Sequence, residues 1–264
     1  MDNSVTIEQS TGKNSSGENI GIQNVYNGIS PQEAAKITTE LFVSNFPKLQ
    51  AQALETVNQR FDELESKLFE RLSNNSFVNY SIFAEPDVQY ILCKAGEFYA
   101  RFGKTESLDA LCCLIESRIE LNTDDYLKMI IDSAIQVIPQ LSTDQINYLT
   151  VMFLLKRAHF TDMITIERLV DQFNRIEKIY GPVVCKGFSM MNNLGCFDFC
   201  IGNVEEICAK RYSLNKEQIT KYMPKDFECV SGDYFTSDMG TVIAITNINI
   251  KENKNYNIKD FVRF

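Results

Sequence analysis

Four cysteines in the C-terminal third are candidate ligands of a structural zinc ion: Cys185, Cys196, Cys200 and Cys208. Such a site needs four thiolates that converge tetrahedrally, usually from paired loops with two residues between ligands. Here ten, three and seven residues separate successive cysteines. If residues 196–201 form a strand, Cys196 and Cys200 lie about 13 Å apart at roughly 3.3 Å per residue, too far to share one ion. We therefore expect buried thiols and no metal.

His159 is the only histidine, which excludes two-histidine zinc motifs within one chain. It follows the predicted end of a buried helix, where a cation complements the helix dipole, so a structural role is favoured and general-base catalysis is the alternative. The acidic pairs Asp124-Asp125 and Glu205-Glu206 lie in predicted first helical turns, where negative charge complements exposed amides. The glycine spacing matches no nucleotide-binding loop. We expect no catalytic residues and no cofactor, with an enzyme of unrecognised site as the remaining catalytic hypothesis.

The composition is that of an ordinary globular protein: 264 residues, 44% hydrophobic, with a net charge of −9. An acidic chain is a poor generic binder of phosphate backbones, which requires clustered positive charge. The N-terminus has neither the basic nor the apolar segment of a targeting signal, and no apolar run reaches the roughly 20 residues of a membrane span. These features predict a cytoplasmic protein with no membrane association, whose cysteines, including Cys112-Cys113, are reduced and mostly buried.

Basic residues are scattered, and their densest group lies in the C-terminal region, where Tyr212 and Tyr222 are interleaved. The group comprises Lys210, Arg211, Lys216, Lys221 and Lys225. It predicts a possible nucleic-acid contact in a winged-helix-like module, although no recognition helix is visible. A solvated rim of a protein domain is the simpler interpretation.

The N-terminal region combines a flexible polar tail over residues 1–19 with a short strand over residues 19–28. In this strand Ile20 and Ile22 alternate with polar residues and glycine. A single strand leaves its backbone hydrogen-bonding groups unpaired, so it requires a second strand as a partner. The sequence Ser30-Pro31-Gln32-Glu33 then predicts a helix start through a capping box.

A further helix is predicted over about residues 49–72, with apolar residues three or four positions apart. These residues are Leu54, Val57, Phe61, Leu64, Leu68 and Leu72. The spacing resembles a coiled-coil seam, which either packs on the helical body of the same chain or joins two chains. Together with Ile20 and Ile22, these side chains are the predicted oligomerisation residues, and residues 20–73 are the predicted assembly segment.

The predicted fold is mainly α-helical. Residues 76–181 are expected to form a helical bundle whose central, buried helix begins at a second capping box, Ser142 with Gln145, and a helix over residues 163–180 closes it. Residues 182–264 are expected to form a small α+β portion. It contains strands over 196–201, 241–250 and 256–264 and two short helices.

Several segments, kept in order along most of the chain, resemble an uncharacterised family of bacterial proteins. They lie at residues 16–24, 83–90, 99–103, 138–155, 193–196 and 235–244. No catalytic residues are defined for that family, so the resemblance assigns none to this chain. The segment Gly17-Glu18-Asn19-Ile20-Gly21-Ile22-Gln23 is also similar to N-terminal segments of many phage-defence-associated proteins, which implies an assembly element.

The function expected from these features is that of a non-enzymatic, self-assembling cytoplasmic interaction protein, with a protein partner and a role in bacterial phage defence. Nucleic-acid binding through the C-terminal region is the alternative.

Overall fold

The computed structural model describes residues 30–73, 75, 80–120, 124–161, 165–184, 186–200, 202–230 and 232–262. The chain divides into two compact units, Met1–Ala51 and Gln52–Phe264. The predicted tail and strand, with Ile20 and Ile22, lie outside the described residues.

The fold is mainly α-helical with a small antiparallel sheet, as the sequence predicts. The helices are α1 (Pro31–Ser73), α2 (Pro86–Phe102), α3 (Thr105–Ile119), α4 (Asp125–Val137), α5 (Thr143–Lys156), α6 (Ile166–Tyr180), α7 (Phe188–Asn193), α8 (Val204–Tyr212), α9 (Lys216–Tyr222) and α10 (Asp238–Lys251). The strands are β1 (Phe197–Phe199) and β2 (Tyr234–Thr236). Within the described part of the chain, none of the helices is long and apolar enough to span a membrane.

Helix α1 begins at the predicted capping box: the Glu33 amide donates to Ser30 Oγ at 3.2 Å, and the Ser30 amide donates to Glu33 Oε2 at 2.9 Å. The sequence predicts two helices before residue 73, but the structure has one, with Pro47 inside it. Proline removes one helical hydrogen bond. The residues that follow it, Lys48 to Glu55, are strong helix formers.

Helix α5 is the central buried helix that the sequence predicts. Its capping box is formed, with the Gln145 amide 3.3 Å from Ser142 Oγ and the Ser142 amide 2.8 Å from Gln145 Oε1. Every residue from Gln145 to Lys156 is buried. A helix that is buried on all sides must be surrounded by other elements, so α5 sets the positions of its neighbours.

The predicted strand over residues 241–250 is wrong, because this segment lies within helix α10. The Ser237 side chain caps the helix by accepting from the Gly240 amide at 3.1 Å, and all residues from Met239 to Ile248 are buried. An apolar, β-branched run that is buried on every side has no distinguishing periodicity, and packing overrides its strand propensity. The predicted strand over 256–264 is also wrong, since a short 3-10 helix, Ile258–Asp260, lies there.

The strand predicted near residue 196 is present as β1, and its partner is β2. The register pairs Phe197 with Thr236 and Phe199 with Tyr234. Helix α10 follows β2 directly and packs against α5, α4 and α3. Because α10 lies inside the bundle, one continuous core joins the helical region to the C-terminal region. The predicted boundary at residues 181–182 therefore does not separate two compact units of the structure.

Gly240 permits the close approach of α10 to the residue before β1. A Cβ at position 240 would overlap the backbone carbonyl of Cys196, which cannot move like a side chain. We expect Gly240→Ala to lower the free energy of unfolding by about 1–3 kcal/mol, the usual cost of overpacking. This loss exceeds the roughly 1 kcal/mol that alanine gains over glycine in a helix.

Urea denaturation measures this effect, and Gly232→Ala is the matched control. A Cβ at Gly232 meets nothing within 4 Å. That variant should stay within about 0.5 kcal/mol of the unchanged protein. Equal stabilities for the two variants would contradict the close approach.

Candidate functional site

The cysteines do not form a metal centre in the described ranges, where no group of three or more potential ligands is found. Cys185 lies outside those ranges. Burial raises the pKa of Cys196 to about 12 and that of Cys208 to about 11. Cys112 and Cys113 are likewise buried in α3, as the sequence predicts, with pKa values raised by burial to about 12 and about 11. Thiols with such pKa values are protonated and pack as small apolar groups.

The richest cluster of cations lies at the C-terminal end of α5. The Lys156 side chain is buried, and its Nζ donates to the Tyr234 carbonyl at 2.8 Å and to the Gly232 carbonyl. Burial lowers the pKa of Lys156, while the charges of Cys200, Asp233 and Glu205 act in the opposite direction. The Lys156 amine therefore holds the chain at the start of β2 against the end of α5.

Arg157, the next residue, contacts the end of β2 and the first residues of α10. Its Nη1 donates to the Thr236 carbonyl at 2.8 Å and to Thr241 Oγ1 at 2.9 Å, and it forms an ion pair with Asp238 at 3.2 Å. Phe235 contributes a ring 5.2 Å from the guanidinium carbon. These contacts link α5 to both β2 and the start of α10.

Arg211 of α8 caps α5. Its guanidinium donates to the carbonyls of Leu155, Lys156 and Ala158, the last at 2.6 Å. A cation at this end also complements the helix dipole. The sequence assigns that role to His159, which is exposed, with its ring 5.7 Å from that of Tyr212. Arg211 makes the carbonyl contacts because α8 brings it there from a distant part of the chain, which local spacing does not indicate.

The other predicted nucleic-acid residues lie on the surface. Lys210 is exposed, Lys216 forms a 2.6 Å ion pair with Glu206, and Lys221 lies 5.1 Å from the ring of Tyr222. Of the four, Arg211 points its charge at backbone carbonyls, and Lys216 has part of its charge compensated. The segment therefore presents less positive charge than its sequence suggests.

The predicted helical seam of α1 divides between the core and the surface. Leu64 and Leu72 are buried in their own chain, Leu68 packs against them, and Val57 is half-buried. Phe61 is partly exposed, and its ring contacts Gly96 of α2. These residues support the interpretation that this part of the seam packs on its own chain.

Polar contacts reinforce the same docking. Arg60 donates to the Ala100 carbonyl at 2.5 Å, Arg71 pairs with Glu116 at 2.7 Å, and Tyr99 donates to Glu63 at 2.8 Å. The segment of α1 from residue 57 to residue 72 thus belongs to the helical bundle.

The apolar surface of α1 lies further toward its N-terminus. Leu54 is 61% exposed. Within residues 31–51, five more large apolar side chains are exposed: Ile37, Leu41, Val43, Phe46 and Leu49. Four of these five precede the helix predicted over residues 49–72, and Leu49 lies at its start, outside the predicted seam. The sequence feature that could have identified them is the number of large apolar residues in one short segment. These residues lack the regular spacing of a buried helical face.

A protein-family model whose description reads only ":-like" matches residues 28–235. The match covers most of the chain, which therefore belongs to this uncharacterised family. No curated protein and no solved structure matches the chain.

Arg211 provides a test of the α5 cap. We expect Arg211→Met to lower the free energy of unfolding by about 2 kcal/mol, because hydrogen bonds to charged groups contribute about 1.5–3 kcal/mol and the carbonyls lose a donor. Lys210→Met removes an exposed charge from the same helix and should change stability by less than about 0.5 kcal/mol. Urea denaturation of both variants makes the comparison. A loss of similar size in both would show that Arg211 acts only through net charge.

Proposed function

We propose that this protein is a non-enzymatic interaction protein that self-assembles through the N-terminal part of α1. The observation that carries the proposal is the exposure of large apolar side chains in residues 31–51. Leu41 is 58% exposed, Val43 is 64% exposed and Phe46 is 50% exposed. Clusters of exposed apolar side chains mark interaction sites on soluble proteins.

The stability of the helix itself supports a partner. Most helices in proteins depend for their stability on the packing of an apolar face. Residues 31–51 contain an internal proline, and their side chains at Ile37, Leu41, Val43, Phe46 and Leu49 are exposed. Burial against a partner would stabilise this segment by roughly 25 cal/mol for each Å² of apolar surface removed from water.

Charge favours a second copy of the chain as that partner. Residues 31–51 contain two bases, Lys36 and Lys48, and two acids, Glu33 and Glu40, so the segment is neutral while the whole chain carries −9. Two acidic chains that meet through a neutral segment avoid bringing like charges together. The family match also includes this segment, since it begins at residue 28.

The contacts of the chemically capable residues support a non-enzymatic role. Lys156, Arg157 and Arg211 donate to backbone carbonyls and hold elements of the bundle together. Groups used in this way stabilise the fold.

Replacement of exposed apolar residues in α1 tests the assembly. The triple variant Ile37→Gln, Leu41→Gln and Phe46→Gln should have the mass of one chain, 30.2 kDa, under conditions where the unchanged protein has a multiple of it. Each buried apolar side chain contributes about 1.5–3 kcal/mol, so three losses abolish association at micromolar concentrations. Light scattering coupled to size exclusion measures the masses.

The matched control replaces three exposed apolar residues of the bundle, Phe69→Gln, Tyr90→Gln and Met129→Gln. These residues are 73%, 57% and 67% exposed. The control should keep the mass of the unchanged protein. If the unchanged protein is monomeric, or if the control dissociates as the test variant does, the proposal is wrong.

We further propose that the assembly acts in bacterial phage defence, from the similarity of residues 17–23 to segments of such proteins. A strain that carries the unchanged protein should then show fewer phage plaques than one that carries the triple variant. Equal plaque counts would remove the defence role and leave the assembly intact.

The alternative function is nucleic-acid binding through Lys210, Arg211, Lys216 and Lys221. The contacts of Arg211 and Lys216 count against it. We expect no salt-dependent binding of DNA or RNA in a gel-shift titration at low salt. Binding that is lost in Lys216→Glu with Lys221→Glu would favour the alternative.

A further inference from the structure

An amine and a thiol meet at the junction of α5 and β1. Lys156 Nζ lies 3.9 Å from Sγ of Cys200, which follows β1 directly. The two residues are 44 positions apart in the chain. Their contact is therefore a product of the tertiary fold.

Backbone hydrogen bonds hold both groups in place. The Cys200 amide donates to the Asp233 carbonyl at 2.9 Å. The carbonyls on either side, of Gly232 and Tyr234, accept from Lys156 Nζ. The same short segment thus anchors both residues, and positioned groups react faster than groups that must first find each other.

Cys200 differs from the other described cysteines in its surroundings. Cys112, Cys113, Cys196 and Cys208 are buried, whereas Cys200 is partly exposed and can meet a small oxidant. Cys93 and Cys229 are exposed; Cys93 Sγ lies 3.9 Å from the Glu97 carboxylate, and Cys229 Sγ contacts backbone carbonyls, as Cys200 Sγ contacts that of Gly202.

We propose that Lys156 and Cys200 form a site of oxidative modification, in which a peroxide links Nζ to Sγ covalently and ties α5 to β1. Burial lowers the pKa of the Lys156 ammonium, which favours the neutral amine that the reaction needs.

The chemistry takes two balanced steps. The thiol of Cys200 first loses its proton, and the thiolate attacks hydrogen peroxide. An S–O bond forms and the O–O bond breaks, hydroxide leaves and takes up a proton to become water, and the sulfur becomes a sulfenic acid as peroxide gains two electrons. The Lys156 amine then attacks this sulfur. The N–S bond forms, hydroxide leaves as water with one proton of the amine, and an ammonium that enters the reaction releases its extra proton to solvent. No further oxidant is consumed in the second step.

Mass spectrometry of the full-length protein tests the proposal. After treatment of the reduced chain with hydrogen peroxide, we expect a loss of about 2 Da, because one thiol hydrogen and one amine hydrogen leave. A protease digest should contain one linked pair of peptides, with Lys156 and Cys200, that dithiothreitol separates. Cys200→Ser and Lys156→Arg should both abolish the linked pair, and Cys229→Ser should retain it.

The unchanged protein alone can overturn the proposal, so the result does not depend on whether a variant folds. Oxidation of Cys200 to sulfinic or sulfonic acid with no linked peptide would overturn it. Faster oxidation of Cys93 or Cys229 than of Cys200, again without the link, would do the same.

Discussion

Helices α5 and α10 are buried along nearly their whole lengths and pack against each other, and α3, α4, α6, α8 and β2 each pack against one or both of them. Two apolar helices could pack in several registers. Polar groups between them remove that freedom: Asn247 Nδ2 lies 2.8 Å from Thr150 Oγ1 and 3.3 Å from Asn147 Oδ1. Asn147 in turn donates to the Tyr180 carbonyl of α6 at 3.1 Å. A buried amide without a partner is costly, so this network favours one register.

The end of α5 extends the same constraint to the C-terminal region. Lys156 and Arg157 hold the chain on either side of β2, and Arg211 from α8 binds the last carbonyls of the helix. Three basic side chains are thus used to join segments that are far apart in the sequence. This use explains why the basic residues of an acidic protein are not all available to bind a polyanion.

Helix α1 has two different environments along its length. From Val57 to Leu72 it packs on the bundle through apolar residues and ion pairs, so the coiled-coil-like spacing there is satisfied within the chain. In residues 31–51 the large apolar side chains are exposed instead. The proposed assembly surface is therefore the segment whose apolar residues lack regular spacing, whereas the regularly spaced segment belongs to the core. The spacing of apolar residues alone does not show whether they are buried or exposed, because burial depends on which other elements pack against the helix.

Patterns in the sequence are sufficient to predict the local features: the mainly helical class, the capping boxes at Ser30 and Ser142, the all-round burial of α5, and the protonated, buried cysteines of α3. Each depends on side chains within a few residues of one another. Three features depend on the three-dimensional packing: residues 241–250 form a helix, Arg211 caps α5 in place of His159, and Lys156 contacts Cys200. These outcomes depend on contacts between residues distant in the chain, where packing and burial outweigh local propensity.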